Sequence, residues 1–232
     1  AKVMAPIDMT GVEWTPIEGF GKIFDGGEIE IKGLKAPLFG TASATIKNVK
    51  LTDVNINITG ITHSVGTIVN VLSGGVIENC DAYGSLTVQD PADDYSVGGI
   101  VGLINGVTTI SSVVNNCSVT VTISNNKDAN VGGIVGYVKK NTSMSNSQNN
   151  GQVSVSGTNT NAVHAGGIVG WVYGGSLTAL SVINAGPVVT ASDAETTGAE
   201  YNVGGFVGRI NTASSFTSCS NNKSAAVSFT GL

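Results

Sequence analysis

The sequence predicts an all-β protein: a single-domain, right-handed parallel β-helix of about six to seven coils with ~34-residue repeats. Three observations predict it. A five-residue box recurs as Gly98-Gly99-Ile100-Val101-Gly102, then around Gly132, Gly133 and Gly136, around Gly166, Gly167 and Gly170, and around Gly204, Gly205 and Gly208, where Phe206 replaces Ile. The first three boxes are 34 residues apart and the fourth follows after 38. Each box is followed by short alternating segments of β-branched residues, with no helical periodicity between them.

The chain opens with a stretch read as an N-terminal cap and opening coil over residues 1–35, followed by repeats over 36–232 as one continuous domain. Trp14 is placed to cap the first coil, and Ile23-Phe24-Asp25-Gly26-Gly27 reads as the opening turn. Degenerate boxes follow at Pro37–Gly40 and Val65–Asn70, before the clean ones begin. After each box a second segment aligns over Ile77–Leu86, Ile110–Val119, Met144–Val153, Ala179–Val188 and Phe216–Ala225. In that register Asn115, Asn149, Asn184 and Asn221 share a column, with Ala82 before them. Stacked coils lie about 4.8 Å apart, so such a column forms an amide ladder, and Asn also tolerates the left-handed backbone of a coil corner. The glycines suit a sharp corner or a close backbone approach. The rival architecture, a propeller, needs about 40 or more residues per four-stranded blade; 34 residues hold three strand-like segments and a loop.

Composition narrows the functional classes. Only 12% of residues are charged and the formal net charge is -5, without a Lys or Arg cluster, so nucleic acid and anionic membrane are poor partners. No apolar run reaches the roughly 18 residues of a membrane span. The start, Ala1 to Pro6, lacks the apolar centre of a signal peptide, which leaves a processed, trimmed or cytosolic chain; beginning on Ala favours the first two. The cysteines, Cys80, Cys117 and Cys219, are odd in number. Cys80 and Cys219 align in one column four coils apart, roughly 19 Å and beyond disulfide reach, so inert buried thiols are expected.

The boxes, together with the Ile-x-Asn-Cys type segment and the Trp14-Thr15-Pro16-Ile17 and Phe24-Asp25-Gly26-Gly27 openings, resemble the GLUG-motif repeat of bacterial surface and secreted proteins. The likeness covers roughly residues 12 to 232. Glu28-Ile29-Glu30, Val113, Cys117 and Lys223 depart from the idealised repeat at positions without a functional role in it. The resemblance implies an extracellular or outer-surface β-helix, adhesin-like, with further domains of a longer protein as neighbours. Such repeats also occur beside secreted peptidase domains; this chain has no HExxH, so that activity is not expected in it.

No nucleophile motif is present, and His63 and His164 read as solvated loop histidines. Asp90, Asp93, Asp94, Asp128, Asp193, Glu195 and Glu200 fall in loops before boxes and would form an acidic rim, with a weak calcium site at Asp90, Asp93 and Asp94 as the one cofactor alternative to none. The sharper signal is aromatic. The residue after each box reads Leu103, Tyr137, Trp171, Arg209, and Tyr173 lies two beyond Trp171. A column accepting Trp, Tyr and Arg is expected to face outward, together with Val101, Val135, Val169 and Val207 by strand alternation. Tyr137, Trp171, Tyr173 and Arg209 are therefore the expected ligand site, for an extracellular glycan or protein. The expected function is a non-catalytic interaction module. The alternatives are a β-helical polysaccharide lyase or hydrolase and a passive stalk.

Overall fold

The computed structural model of the chain describes residues 1–60, 64–124, 127–158, 161–192, 200–222 and 225–231. Among them there is no helix, and every strand pairing is parallel. Twenty strands form one large sheet and five form a second, smaller one. The large sheet runs from Ile7–Asp8 to Val227–Gly231, so the chain is a β-solenoid whose coils stack along one axis. One ladder passes through Ile7, Ile31, Leu51, Ala82, Asn115, Asn149, Asn184 and Asn221.

Coil length changes along that axis. Contacts between neighbouring coils span 22 residues between Thr52 and Glu30, 34 between Asn115 and Asn149, and 38 between Asn202 and His164. The small sheet, Val65–Gly66, Tyr95–Gly98, Ala129–Gly132, Val163–Gly166 and Tyr201–Gly204, gives about five complete turns, fewer than the six to seven expected. The physical reason is length. The opening coils are too short to add the extra strand and carry only the large sheet.

The core is a stack of aliphatic columns. Ile100, Ile134 and Ile168 are fully buried, while Phe206 in the last described coil is partly buried against them. At the narrow end Phe20, Phe24 and Phe39 cluster with ring centroids 4.9 to 6.3 Å apart, and Trp14 Nε1 donates to the Pro37 carbonyl at 2.9 Å.

The boxes owe their glycines to close approach. None of the box glycines has a positive φ. A Cβ on Gly98 would meet the backbone of Val101 and Gly136, and one on Gly102 that of Val65 and Asn70, each under 3.0 Å. The chain therefore folds back at the box and lays the small sheet against the large one at backbone contact. The second glycines do something else. A Cβ on Gly99, Gly133, Gly167 or Gly205 would strike the side-chain amide of Asn115, Asn149, Asn184 or Asn221 respectively.

Those amides form the expected ladder. Asn115 Nδ2 donates to Asn149 Oδ1, Asn149 to Asn184 and Asn184 to Asn221, at 2.8, 2.9 and 2.7 Å. Their other amide hydrogens close onto the carbonyls of Cys117, Gly151 and Gly186. The backbone role expected of these Asn residues falls elsewhere. Left-handed φ values near 50° belong to Asn48, Asn79, Ser112, Asn146, Ser181 and Ser218, a column three residues upstream of the ladder in the repeats. The turn is made there, which frees the ladder amides to point into the core.

The valine column is also corrected. Val101, Val135 and Val169 are fully buried rather than outward, because the fold-back encloses the residues nearest the box.

Candidate functional site

Two columns face each other across the fold-back. On the small sheet Ser96, Asn130, His164 and Asn202 stack in register, each two residues before a box. On the large sheet Val71, Leu103, Tyr137, Trp171 and Arg209 do the same, and the last four directly follow the clean boxes. Reversal at the box brings the columns together: the His164 and Trp171 rings meet at 4.8 Å, edge to face.

The expected site residues come together as a stack. Tyr137 and Trp171 lie parallel within 18° with centroids 5.0 Å apart, as parallel pairing of adjacent coils requires. Tyr173 meets Trp171 at 4.9 Å and Tyr137 at 6.1 Å. The Arg209 guanidinium covers the next face of Trp171, 5.1 Å from its centroid. Arg209 is held by Glu200 at 2.8 Å and by Asn211 Oδ1, which also accepts from Trp171 Nε1. Trp171 is thus sandwiched between a ring and a cation, and its faces are not free for a ligand. Only Tyr173 is half exposed; Tyr137, Trp171 and Arg209 are partly buried. The outward ridge expected from sequence is therefore a stack along a groove wall.

Burial first, and then the Arg209 cation, hold His164 below its ordinary value of 6.5, so the imidazole is neutral at pH 7. It is 1% exposed, with Asn202 Nδ2 3.1 Å from Nδ1, which corrects the reading of a solvated loop histidine. Burial, with Tyr173 beside it, pushes the Tyr137 phenol up to about 12 and keeps it a neutral donor. A hydrogen bond from Asn202, then the charge of Arg209, lowers the Glu200 carboxyl.

The aspartates bond up the stack. Asp90 Oδ1 accepts from the amide and hydroxyl of Ser124, Asp94 Oδ1 accepts from the Asp128 amide, and Asp128 Oδ1 from the Ala162 amide. Asp93 lies 4.0 Å from Lys127. Asp90, Asp93 and Asp94 share no centre, and no group of three His, Cys, Asp or Glu residues among the described residues is placed to hold a metal. His63, Asp193, Glu195 and Lys223 lie outside the described residues. Cys80 and Cys117 are buried, and burial pushes both thiols up to about 12, while Cys219 is partly exposed.

Sequence reasoning missed the facing column of Ser96, Asn130, His164 and Asn202. Its signal was a constant offset two residues before the box, hidden because Ser, Asn and His share no single chemistry.

Comparison with known proteins bears on what such a groove serves. No family model matches the chain. Over 139 residues it is 31% identical to an immunoglobulin A1 protease of Streptococcus sanguinis, a match covering 47% of the chain and 7% of that protein. A crystal structure of a candidate immunoglobulin A1 protease from Bacteroides ovatus superposes with a TM-score of 0.73 at 20% identity, over 98% of this chain and 70% of that one. A further structure named IgA1 protease gives 0.57 at 18%, over 99% of this chain and 20% of that one. At these identities the structural matches speak for the fold. The name of the streptococcal relative corrects the expectation of a non-catalytic protein: that relative is named as a protease.

Proposed function

We propose that the chain is a β-solenoid module of a secreted or cell-surface bacterial protease of the immunoglobulin A1 protease type, and that its aromatic groove docks the protein substrate. The 31% identity to the streptococcal protease carries this reading. The repeats are of the GLUG type in this reading and the coils wind right-handed. The chain spans 7% of that relative, so the role assigned to it is a share in the larger protein's activity.

The groove suits docking in its chemistry. Tyr173 offers exposed aromatic area, Trp171 and Arg209 form its rigid support, and Trp, Tyr and Arg are the residue types that dominate protein recognition. The test has two arms. The purified chain is passed over immobilised immunoglobulin A1, with immunoglobulin G as control, and saturable binding to the first alone is expected. The full-length protein carrying Trp171→Ala and Tyr173→Ala is then assayed for immunoglobulin A1 cleavage. A KM raised about tenfold with kcat retained supports docking. No cleavage by the full-length protein, or an unchanged KM, overturns the reading.

A further inference from the structure

The stack of flat groups stops at Tyr137. Trp171 covers one of its faces, but the next residue down the column is Leu103 and the one after that Val71. A notch of about 470 Å³ opens at this step, within the ~300–1,000 Å³ of small-molecule sites. Its walls are chemically mixed: Tyr137 and Leu103 on the large sheet, Asp94, Asp128 and Asn130 on the other side, and Lys139, whose ammonium lies over the Tyr137 ring 5.1 Å from its centroid. Asn130 is 5% exposed and its Oδ1 finds no hydrogen-bond partner, one of two such buried side-chain atoms among the described residues. A buried acceptor without a donor is costly and marks an unfinished network.

We propose that this notch binds an uncharged pyranose ring, stacked on the face of Tyr137 away from Trp171 once the flexible Lys139 side chain moves aside, and hydrogen-bonded by Asp94, Asp128 and Asn130. The C–H face of a pyranose carries partial positive charge and complements the negative face of an aromatic ring. Its hydroxyls donate to the two carboxylates through charge-assisted bonds, and a rotation of the Asn130 amide that turns its buried Oδ1 to the notch lets a further hydroxyl satisfy it. Two carboxylates against one ammonium, Lys139, leave the notch negative and repel sialic and uronic acids. The bound ring takes the place in the column that Leu103 leaves unfilled by an aromatic. This proposal goes beyond the protease reading and does not depend on it: sugar binding without antibody docking overturns that reading and leaves this one standing.

The test titrates the chain with methyl glucoside, methyl galactoside, methyl mannoside and N-acetylglucosamine, read by saturation-transfer NMR and calorimetry. Methyl glucuronide and a proline- and tyrosine-containing peptide serve as comparators. Saturable binding of at least one uncharged pyranose is expected, with a Kd of about 1 mM. Tyr137→Ala weakens it about tenfold, the loss of one stacking contact. Tyr137→Leu copies the Leu103 rung, keeps the stack filled, and weakens binding equally if the ring face is what counts. Asn130→Ala weakens it several-fold, about what one hydrogen bond supplies. The proposal is overturned if no uncharged sugar saturates the chain, if Tyr137→Leu binds as well as the parent, or if the peptide or glucuronide binds in preference.

Discussion

The Asn ladder and the groove are both columns of the same repeat, yet they differ in every physical respect. Asn115, Asn149 and Asn184 are identical, fully buried and satisfied by one another and by nearby carbonyls. Leu103, Tyr137, Trp171 and Arg209 vary rung by rung, sit partly open, and border an amide oxygen without a partner. Identity is demanded where a side chain bonds to its own copy one coil away, since a change on one rung strands two neighbours. Variation is tolerated where a side chain needs only to lie flat on the next. The repeat thus separates scaffold from recognition by columns, not by segments.

The comparison is broken most severely at the ladder. Gly133→Ala drives a Cβ into the Gly167 carbonyl and the Asn149 amide and is expected to cost several kcal/mol, about 4, in urea denaturation. Asn149→Ala leaves Asn115 short of one acceptor and Asn184 and Gly151 short of a donor, for about 3 kcal/mol. If either is tolerated within about 0.5 kcal/mol, the ladder is not the scaffold. By contrast Tyr173→Ala, on the half-exposed edge of the groove, should lie below about 1 kcal/mol.

A smaller effect probes the facing column by pH. His164 is held below 6.5 in the folded chain, so below that pH the unfolded chain binds more protons. The histidine's share of stability is complete above pH 6.5 and is lost as pH falls toward its depressed folded value. The melting temperature should therefore fall on going from about pH 7 to pH 5, and His164→Asn, which matches Asn130 and Asn202 in the column, should flatten that dependence. An equal slope in both proteins removes His164 as the cause. The smallest signal is chemical: a thiol reagent at pH 8 should modify Cys219 alone in the native chain and reach Cys80 and Cys117 only on unfolding.

Much of this was legible in the sequence, because a solenoid writes its ladders as periodic columns. The box spacing, the Asn column and the meeting of Tyr137, Trp171, Tyr173 and Arg209 were all readable by alignment. The errors have separate origins. Strand alternation was carried through the box as though the chain ran straight, whereas it reverses there, which buried Val101 and His164 and turned a ridge into a groove. The left-handed corner was assigned to Asn149 and its equivalents because Asn favours that conformation, but serines at 112, 181 and 218 accept it as well. The coil count was overestimated because the opening coils contribute ladder rungs without the second sheet. The likeness to proteases was not readable from a catalytic motif, since the residues that dominate the pattern serve stacking.

The change in coil length bears on which coils can pair with which. A parallel stack of like repeats lets one coil add to another out of order as the chain folds. Here the contacts close in 22 residues between Thr52 and Glu30 and in 38 between Asn202 and His164, so the perimeter changes along the axis. A short coil laid on a long one matches the ladder over part of the perimeter and leaves the small-sheet strand unpaired. The taper gives each coil its place in the order, even though every rung is built to be extended.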